Sequence, residues 1–218
     1  MDQFIREVDE EYRREKVAQI WRRFSGLIVG VAILIVAAVG GWRYWQYAQA
    51  QRAGVAATRF EDAMKLSREG KPEESERALQ ALAGDAPAGY ALLARFRSAA
   101  ETGGRDAEAG GRAFDALASD ASVPATLQDL ARLRAAMLRL GTTVDAAPEL
   151  DRLAVPANAW RHTARELLGL SALRRSDYEA AGRWFDQIAA DPETPQSLRA
   201  RLEIYTALVA GGPVQTTQ

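Results

Sequence analysis

Catalysis near neutral pH draws mostly on histidine, cysteine or a carboxylate held beside a reacting group. This chain of 218 residues has one histidine, His162, and no cysteine. Disulfides, thiol nucleophiles and cysteine-ligated metals are therefore excluded. A lone histidine cannot build a multi-histidine metal site, and His162, in NAWRHTARE, is expected on a helix surface or between helices. No serine lies in G-x-S-x-G. The stretch GGRDAEAGGRAFD is glycine-rich but lacks the G-K-[ST] ending of a phosphate loop, so its glycines point to a turn and a close helix contact. Glu73-Glu74 falls at a helix start, where carboxylates complement the dipole. The residues that could do chemistry form no nucleophile–base pair, so the chain reads as non-enzymatic, with no metal and no cofactor.

One polar pattern recurs. Arg59, Arg95, Arg132 and Arg165 fall at nearly equivalent places along the chain. On the concave face of a helical array, a ladder of guanidiniums would clasp carbonyls, carboxylates or a peptide terminus. The plainer reading is that they bridge to acidic residues of a neighbouring unit, or are solvated. Trp160, Trp184 and Phe185 read as inter-helix core rather than as a binding cage.

The elements that must position these residues are helical. Ala, Leu, Arg and Glu dominate after Ala53, and apolar residues recur at three- and four-residue steps, as in Leu127, Leu130, Ala131, Leu133, Met137 and Leu138. Breaks fall at Gly70-Lys71-Pro72, Asp85-Ala86-Pro87, Gly103-Gly104, Val123-Pro124, Gly141, Ala147-Pro148, Pro156, Ser176-Asp177, Asp191-Pro192 and Pro195. The spacing predicts helices over 54–69, 73–83, 88–102, 106–118, 125–140, 146–154, 158–175, 178–190 and 196–210. Short turns between them make consecutive helices antiparallel neighbours.

The clearest unit, ARELLGLSALRRSDYEAAGRWFDQIAADP at 164–192, resembles a tetratricopeptide repeat. Gly169 takes the small position of its first helix, and Ala181 and Phe185 the packing positions of its second. Weaker copies place Ala63, Ser98 and Ala135 at the small position, with Phe114 opposite Phe185 and Gly70 opposite Ser176. These small residues step by about 34 to 37 residues, near the period of that repeat.

Ahead of the array, Phe24–Trp42 runs about nineteen residues without a charge, close to the length that crosses a bilayer as a helix. Trp21, Trp42 and Trp45 flank it as interfacial anchors. Arg6, Arg13, Arg14, Lys16, Arg22 and Arg23 precede it, whereas Arg43, Arg52 and Arg59 follow, so the tail should stay in the cytoplasm and the remainder be exported. Ala48-Gln49-Ala50 has the small-x-small form of a signal-peptidase site, but the apolar run is too long and its flank too aromatic for a cleaved signal. Gly26, Gly30, Ala37 and Gly41 share one helical face, which suits packing against another span, including that of a second copy as a homodimer. Acids and bases balance at 29 against 28, and no basic patch dominates, which argues against nucleic acid.

The expected fold class is all-α: a single N-terminal transmembrane helix followed by a tetratricopeptide-like α-solenoid of antiparallel helical hairpins. The divisions are a cytoplasmic tail at 1–23, the span at 24–45, a periplasmic domain at 46–211 and a disordered tail at 212–218.

The opening FIREVDEEYRREK, the span, and the blocks YALLARFRSAAE, AFDALASDASVPATLQDLARLRAAML and NAWRHTARELLGLSALRRSDYEAAGRWFDQIAADP resemble the YfgM-like proteins, ancillary subunits of the SecYEG translocon, in their alphaproteobacterial branch. The resemblance implies an inner-membrane protein whose periplasmic domain contacts the translocon and a periplasmic chaperone and assists handover of exported proteins. It carries no catalytic residues to transfer. A membrane-anchored scaffold of another envelope complex, for cell wall or division, is the alternative.

Overall fold

The computed structural model describes the backbone of residues 2–140 and 147–212, and side chains from Gly26 onward except Ile28. The break expected at Gly141 and the tail at 213–218 lie outside the described residues. The chain divides into two units, Met1–Gly54 and Val55–Gln218.

Helix α1 runs Asp2–Arg68. The tail, the apolar span and the first helix of the array, which the sequence divides at 23, 45 and 54, are one continuous element. No proline falls between them, and Arg43–Ala53 is rich in Ala, Gln and Arg, which propagate a helix. In the first unit the described apolar side chains face outward. Leu34 is 68% and Val36 72% exposed, and nothing within the unit buries them. Among the described residues α1 is the one helix long and apolar enough to cross a membrane.

The second unit continues α1 from Val55 and adds α2 (Pro72–Asp85), α3 (Ala88–Arg105), α4 (Ala107–Ser119), α5 (Ala125–Arg139), α6 (Ala147–Leu153), α7 (Arg161–Arg174), α8 (Tyr178–Ala190) and α9 (Gln196–Gly211). No strand occurs among the described residues. The ends have local causes. After α1, Gly70 takes a positive φ of 76°, with its N–H on the Ser67 carbonyl and that of Lys71 on the Leu66 carbonyl. This is a Schellman cap, and Pro72 then opens α2. Ser176 repeats the geometry after α7 at φ 58°, with its own N–H on the Leu173 carbonyl and that of Asp177 on the Ala172 carbonyl. The alignment of Gly70 with Ser176 thus corresponds to one shared turn. Asp106 caps α4 by accepting from the N–H groups of Glu108 and Ala109, and Asp177 caps α8 by accepting from that of Ala180.

Each helix from α2 to α9 packs on the next. The core is a row of clusters that hand over along the array. Ala56 and Ala63 of α1 meet Leu79 and Leu82 of α2 and Ala94 of α3. Phe114 and Leu117 of α4 meet Ala99 of α3 and Ala131 and Ala135 of α5. Leu150 and Leu153 of α6 lie between Leu133 of α5 and Leu168 of α7. Phe185 and Ile188 of α8 lie between Ala172 of α7 and Leu198 of α9. A hairpin that buries its apolar face only against the next hairpin is the design of a solenoid.

Candidate functional site: a groove on the first helices

The first helices of consecutive hairpins, α1, α3 and α5, line an open groove of about 580 Å³. Phe60 and Met64 come from α1, Leu92, Leu93 and Phe96 from α3, and Leu127 and Leu130 from α5. Phe114 reaches it from α4, tilted against Phe96 with ring centroids 6.0 Å apart. These side chains are apolar because the same helical faces continue into the core. Apart from the buried Phe114 they are only partly covered, and Leu93 is 47% exposed.

Two cations, Arg97 and Arg134, stand in this apolar lining, and no carboxylate does among the described residues. Arg97 donates from Nη2 to the Ser67 hydroxyl at 3.1 Å and pairs with Glu101, while the Ser67 hydroxyl donates to Glu101 at 2.6 Å. Its Nε–H is buried without an acceptor among the described residues. Arg134 is exposed and makes no hydrogen bond or ion pair among the described residues. Neither arginine stands out in the sequence. Each sits two residues beyond a member of the ladder, about 200° around the helix.

The ladder itself closes hairpins. Arg59 forks onto both oxygens of Asp85 at 2.8 and 2.9 Å. Arg95 donates to Asp120 at 2.7 Å. Arg165 donates from Nε to the Ala154 carbonyl at 2.9 Å and from Nη1 to Asp191 at 3.3 Å. In these three hairpins an arginine of the first helix holds the aspartate at the end of the second. The third hairpin, α5 with α6, has Asn158 at the matching place. There Asn158 donates to Asp129 at 2.9 Å, and Arg132 pairs with Asp129 at 2.7 Å and with the Ala118 carbonyl at 3.0 Å. The recurrence of an acid or amide about 25 residues after each arginine is the signal in the sequence. The ion pairs run within a unit, whereas Arg132 and Arg165 also donate to a backbone carbonyl of the preceding unit.

Asp191 gathers the densest charge. Arg161 donates to it at 2.9 Å and also pairs with Glu193. The Arg161 guanidinium, with the Glu193 N–H, holds the Asp191 carboxyl down at about 2. His162 is buried beside it, with Nδ1 3.3 Å from the Thr194 hydroxyl, and burial lowers its pKa, reinforced by Arg161. This matches an inter-helix histidine. Asp120 is also held at about 2, by the Ser122 hydroxyl and N–H and by Arg95.

The packing positions lie at helix contacts. Ala63, Ala135, Ala181 and Phe185 are at most 1% exposed, with Phe114 at 3% and Ser98 at 8%. A Cβ on Gly169 would meet the Phe185 ring at 2.4 Å. The glycine-rich stretch makes the close contact its composition suggests. A Cβ on Gly110 would lie 2.3 Å from the Gly103 Cα, so the backbones of α3 and α4 touch there. Trp160 and Trp184 are half-buried against the α5–α6–α7 cluster, and the Trp160 indole donates to the Thr126 carbonyl at 3.0 Å.

In the first unit, Gly26, Gly30 and Gly41 have nothing within 4 Å of an added Cβ, and Ala37 is exposed. Trp42 and Trp45 lie with ring centroids 5.4 Å apart. The Trp21 side chain lies outside the described residues. Among the described residues no group of three His, Cys, Asp or Glu side chains is arranged to hold a metal ion.

A search of curated proteins finds no match, and neither does a search of solved structures. A family model, the tetratricopeptide repeat-like domain, matches residues 18–202. That range takes in the whole apolar span and the four hairpins from α1–α2 to α7–α8, and it agrees with the turn, the small positions and the stacked clusters described above. The chain belongs to the tetratricopeptide repeat-like domain family.

Proposed function

We propose that this chain is a membrane-anchored interaction module. Its apolar helix crosses the bacterial inner membrane once with the N-terminus in the cytoplasm. Its helical array stands in the periplasm, associates with the SecYEG translocon and a periplasmic chaperone, and assists handover of exported proteins. The observation that carries this reading is the union, in one chain, of a helix fit to cross a membrane and a repeat array with an open apolar groove. Arrays of this architecture present such surfaces to other proteins. The basic flank before the span supports the orientation, and the resemblance of FIREVDEEYRREK and the array blocks to YfgM-like proteins supports the partners. The small-residue face at Gly26, Gly30, Ala37 and Gly41 suits contact with a second span, of the translocon or of another copy.

The test is photo-crosslinking from intact membranes, with probes at Ile33 and Ala37 in the span and at Leu93 and Arg134 on the groove. Translocon subunits trapped at the span, with a chaperone or an emerging chain at the groove, are the expected result. Only self-crosslinks in the span and nothing at the groove would assign the chain to a self-associating scaffold of another envelope complex and remove the translocon role.

A further inference from the structure

The last helix presents a seat that earlier helices fill. α3, α5 and α9 each begin directly after a proline, Pro87, Pro124 and Pro195. Counted from that proline, Phe96, Ala99 and Gly103 of α3 match Leu133, Ala136 and Leu140 of α5 and its cap. The same places on α9 hold Ile204, Ala207 and Gly211. In the earlier hairpins they receive the second helix. Phe96 and Ala99 pack with Phe114 and Leu117 of α4, and Gly103 lies against Gly110. Leu133, Ala136 and Leu140 pack with Leu150 and Leu153 of α6. On α9 this face is bare among the described residues. Ile204 is 62% and Leu208 53% exposed, and a Cβ on the exposed Gly211 would meet nothing within 4 Å. The unit that ends a solenoid needs a polar outer face to stay soluble. α9 instead buries Leu198 and Leu202 against α7 and α8 and keeps an apolar seat uncovered on its other side.

The charge at the latch is reversed there. Arg95 and Arg132 also hold matching places after their prolines, and α9 has Glu203 at that place. Arg95 holds Asp120 at the end of its second helix, whereas Glu203 is exposed and makes no ion pair among the described residues. A cation at the end of an incoming second helix would close this latch, and a helix C-terminus favours a cation. We infer that α9 is half of a hairpin that another protein completes: it receives an antiparallel helix, apolar on one face, with a lysine or arginine at its C-terminal end against Glu203. The residues after Gly212, PVQTTQ, carry no cation to meet Glu203. A second copy offers no free helix of that kind, since α9 has no cation in its last turn and the helices before it are packed in hairpins. The seat lies apart from the groove, and it does not depend on the translocon reading.

The experiment uses the full chain in nanodiscs of zwitterionic lipid and fluorescently labelled peptides of residues 106–120, the helix that fills the matching seat on α3. A staple between positions 108 and 112, whose side chains are exposed, holds the peptide helical. One peptide carries Asp120→Arg and the other keeps the aspartate. Fluorescence anisotropy should show the arginine peptide binding about fivefold more tightly. Glu203→Arg should reverse that order, and Ile204→Asp should remove binding of both peptides. Both positions are exposed, and circular dichroism melts that match the unaltered chain check that the variants keep the fold. No binding of the arginine peptide overturns the inference, as does equal binding of the two. An order that survives Glu203→Arg, or binding that survives Ile204→Asp, overturns it too. Mass photometry without peptide tests the second copy. Chains that pair and then separate on Ile204→Asp would assign the face to self-association and overturn the inference as well.

Discussion

Gly169 and Phe185 fit each other as slot and plug: a single added Cβ at 169 would stand 2.4 Å from Cε1 of the ring and 2.7 Å from Cζ. Phe185 is wholly buried and stacked on Tyr205 with centroids 5.0 Å apart, so it has nowhere to retreat. Gly169→Ala should therefore destabilise the domain by about 1–3 kcal/mol, although alanine is the better helix former. Chemical denaturation of the full chain in detergent, followed by circular dichroism, would measure it. An unchanged midpoint would mean that the ring moves freely.

The α3–α4 crossing makes the same point with an internal control. Gly110→Ala drives a methyl into the Gly103 backbone, which cannot rotate away, and should cost about 2 kcal/mol or more. Gly104→Ala, one residue from that contact, meets nothing within 4 Å. It should be neutral or stabilise by up to about 1 kcal/mol through helix propensity. The pair of melting temperatures checks whether the backbones touch.

Ser176 adopts a left-handed conformation that glycine adopts without cost, and Gly70 does so at the matching turn. Ser176→Gly should stabilise the domain by about 1 kcal/mol. A denaturation midpoint that falls would show that the hydroxyl contributes more than the strain.

The arginine ladder predicts unequal losses. Arg165 is 6% exposed and satisfies the Ala154 carbonyl, so Arg165→Ala leaves a buried acceptor empty and should cost about 1–3 kcal/mol. Arg59 and Asp85 are 40% and 61% exposed, so Arg59→Ala should cost no more than about 1 kcal/mol. Equal losses would contradict the assignment of burial as the deciding factor.

Acid should loosen the array at the ends of its second helices. The Asp120 and Asp191 carboxyls sit at about 2, below their ordinary 3.8. A depressed carboxyl stabilises the fold fully above its unfolded value and loses that contribution as pH falls through the folded one. Stability should thus decline between about pH 4 and pH 2. Asp191→Asn should flatten part of that decline, and thermal melts across the window would show whether it does.

The helix pattern was legible to within a few residues because Gly, Pro and Asp punctuate it. α8 runs Tyr178–Ala190, as the spacing predicts. The union of tail, span and first array helix in α1 was not, because a change in polarity looks like a boundary even where no residue stops a helix. The arginine periodicity was visible, but its partners were the aspartates about 25 residues on, and only the packed hairpin brings those ends together. Arg97 and Arg134 could not be picked out, because what distinguishes them is the face they share with Phe96 and Leu130, a property of three neighbouring helices rather than of spacing.

The latch between an arginine and the end of its own hairpin has a consequence for how such a chain changes over generations. A fastener held inside one unit is copied whole when that unit is duplicated, and it needs no matching residue next door. Each hairpin can then drift in sequence while it remains shut. The third has done so, with Asn158 facing Asp129 where its siblings set aspartate against arginine. Self-contained closure is therefore a physical reason why the repeats diverge so far in sequence and still stack.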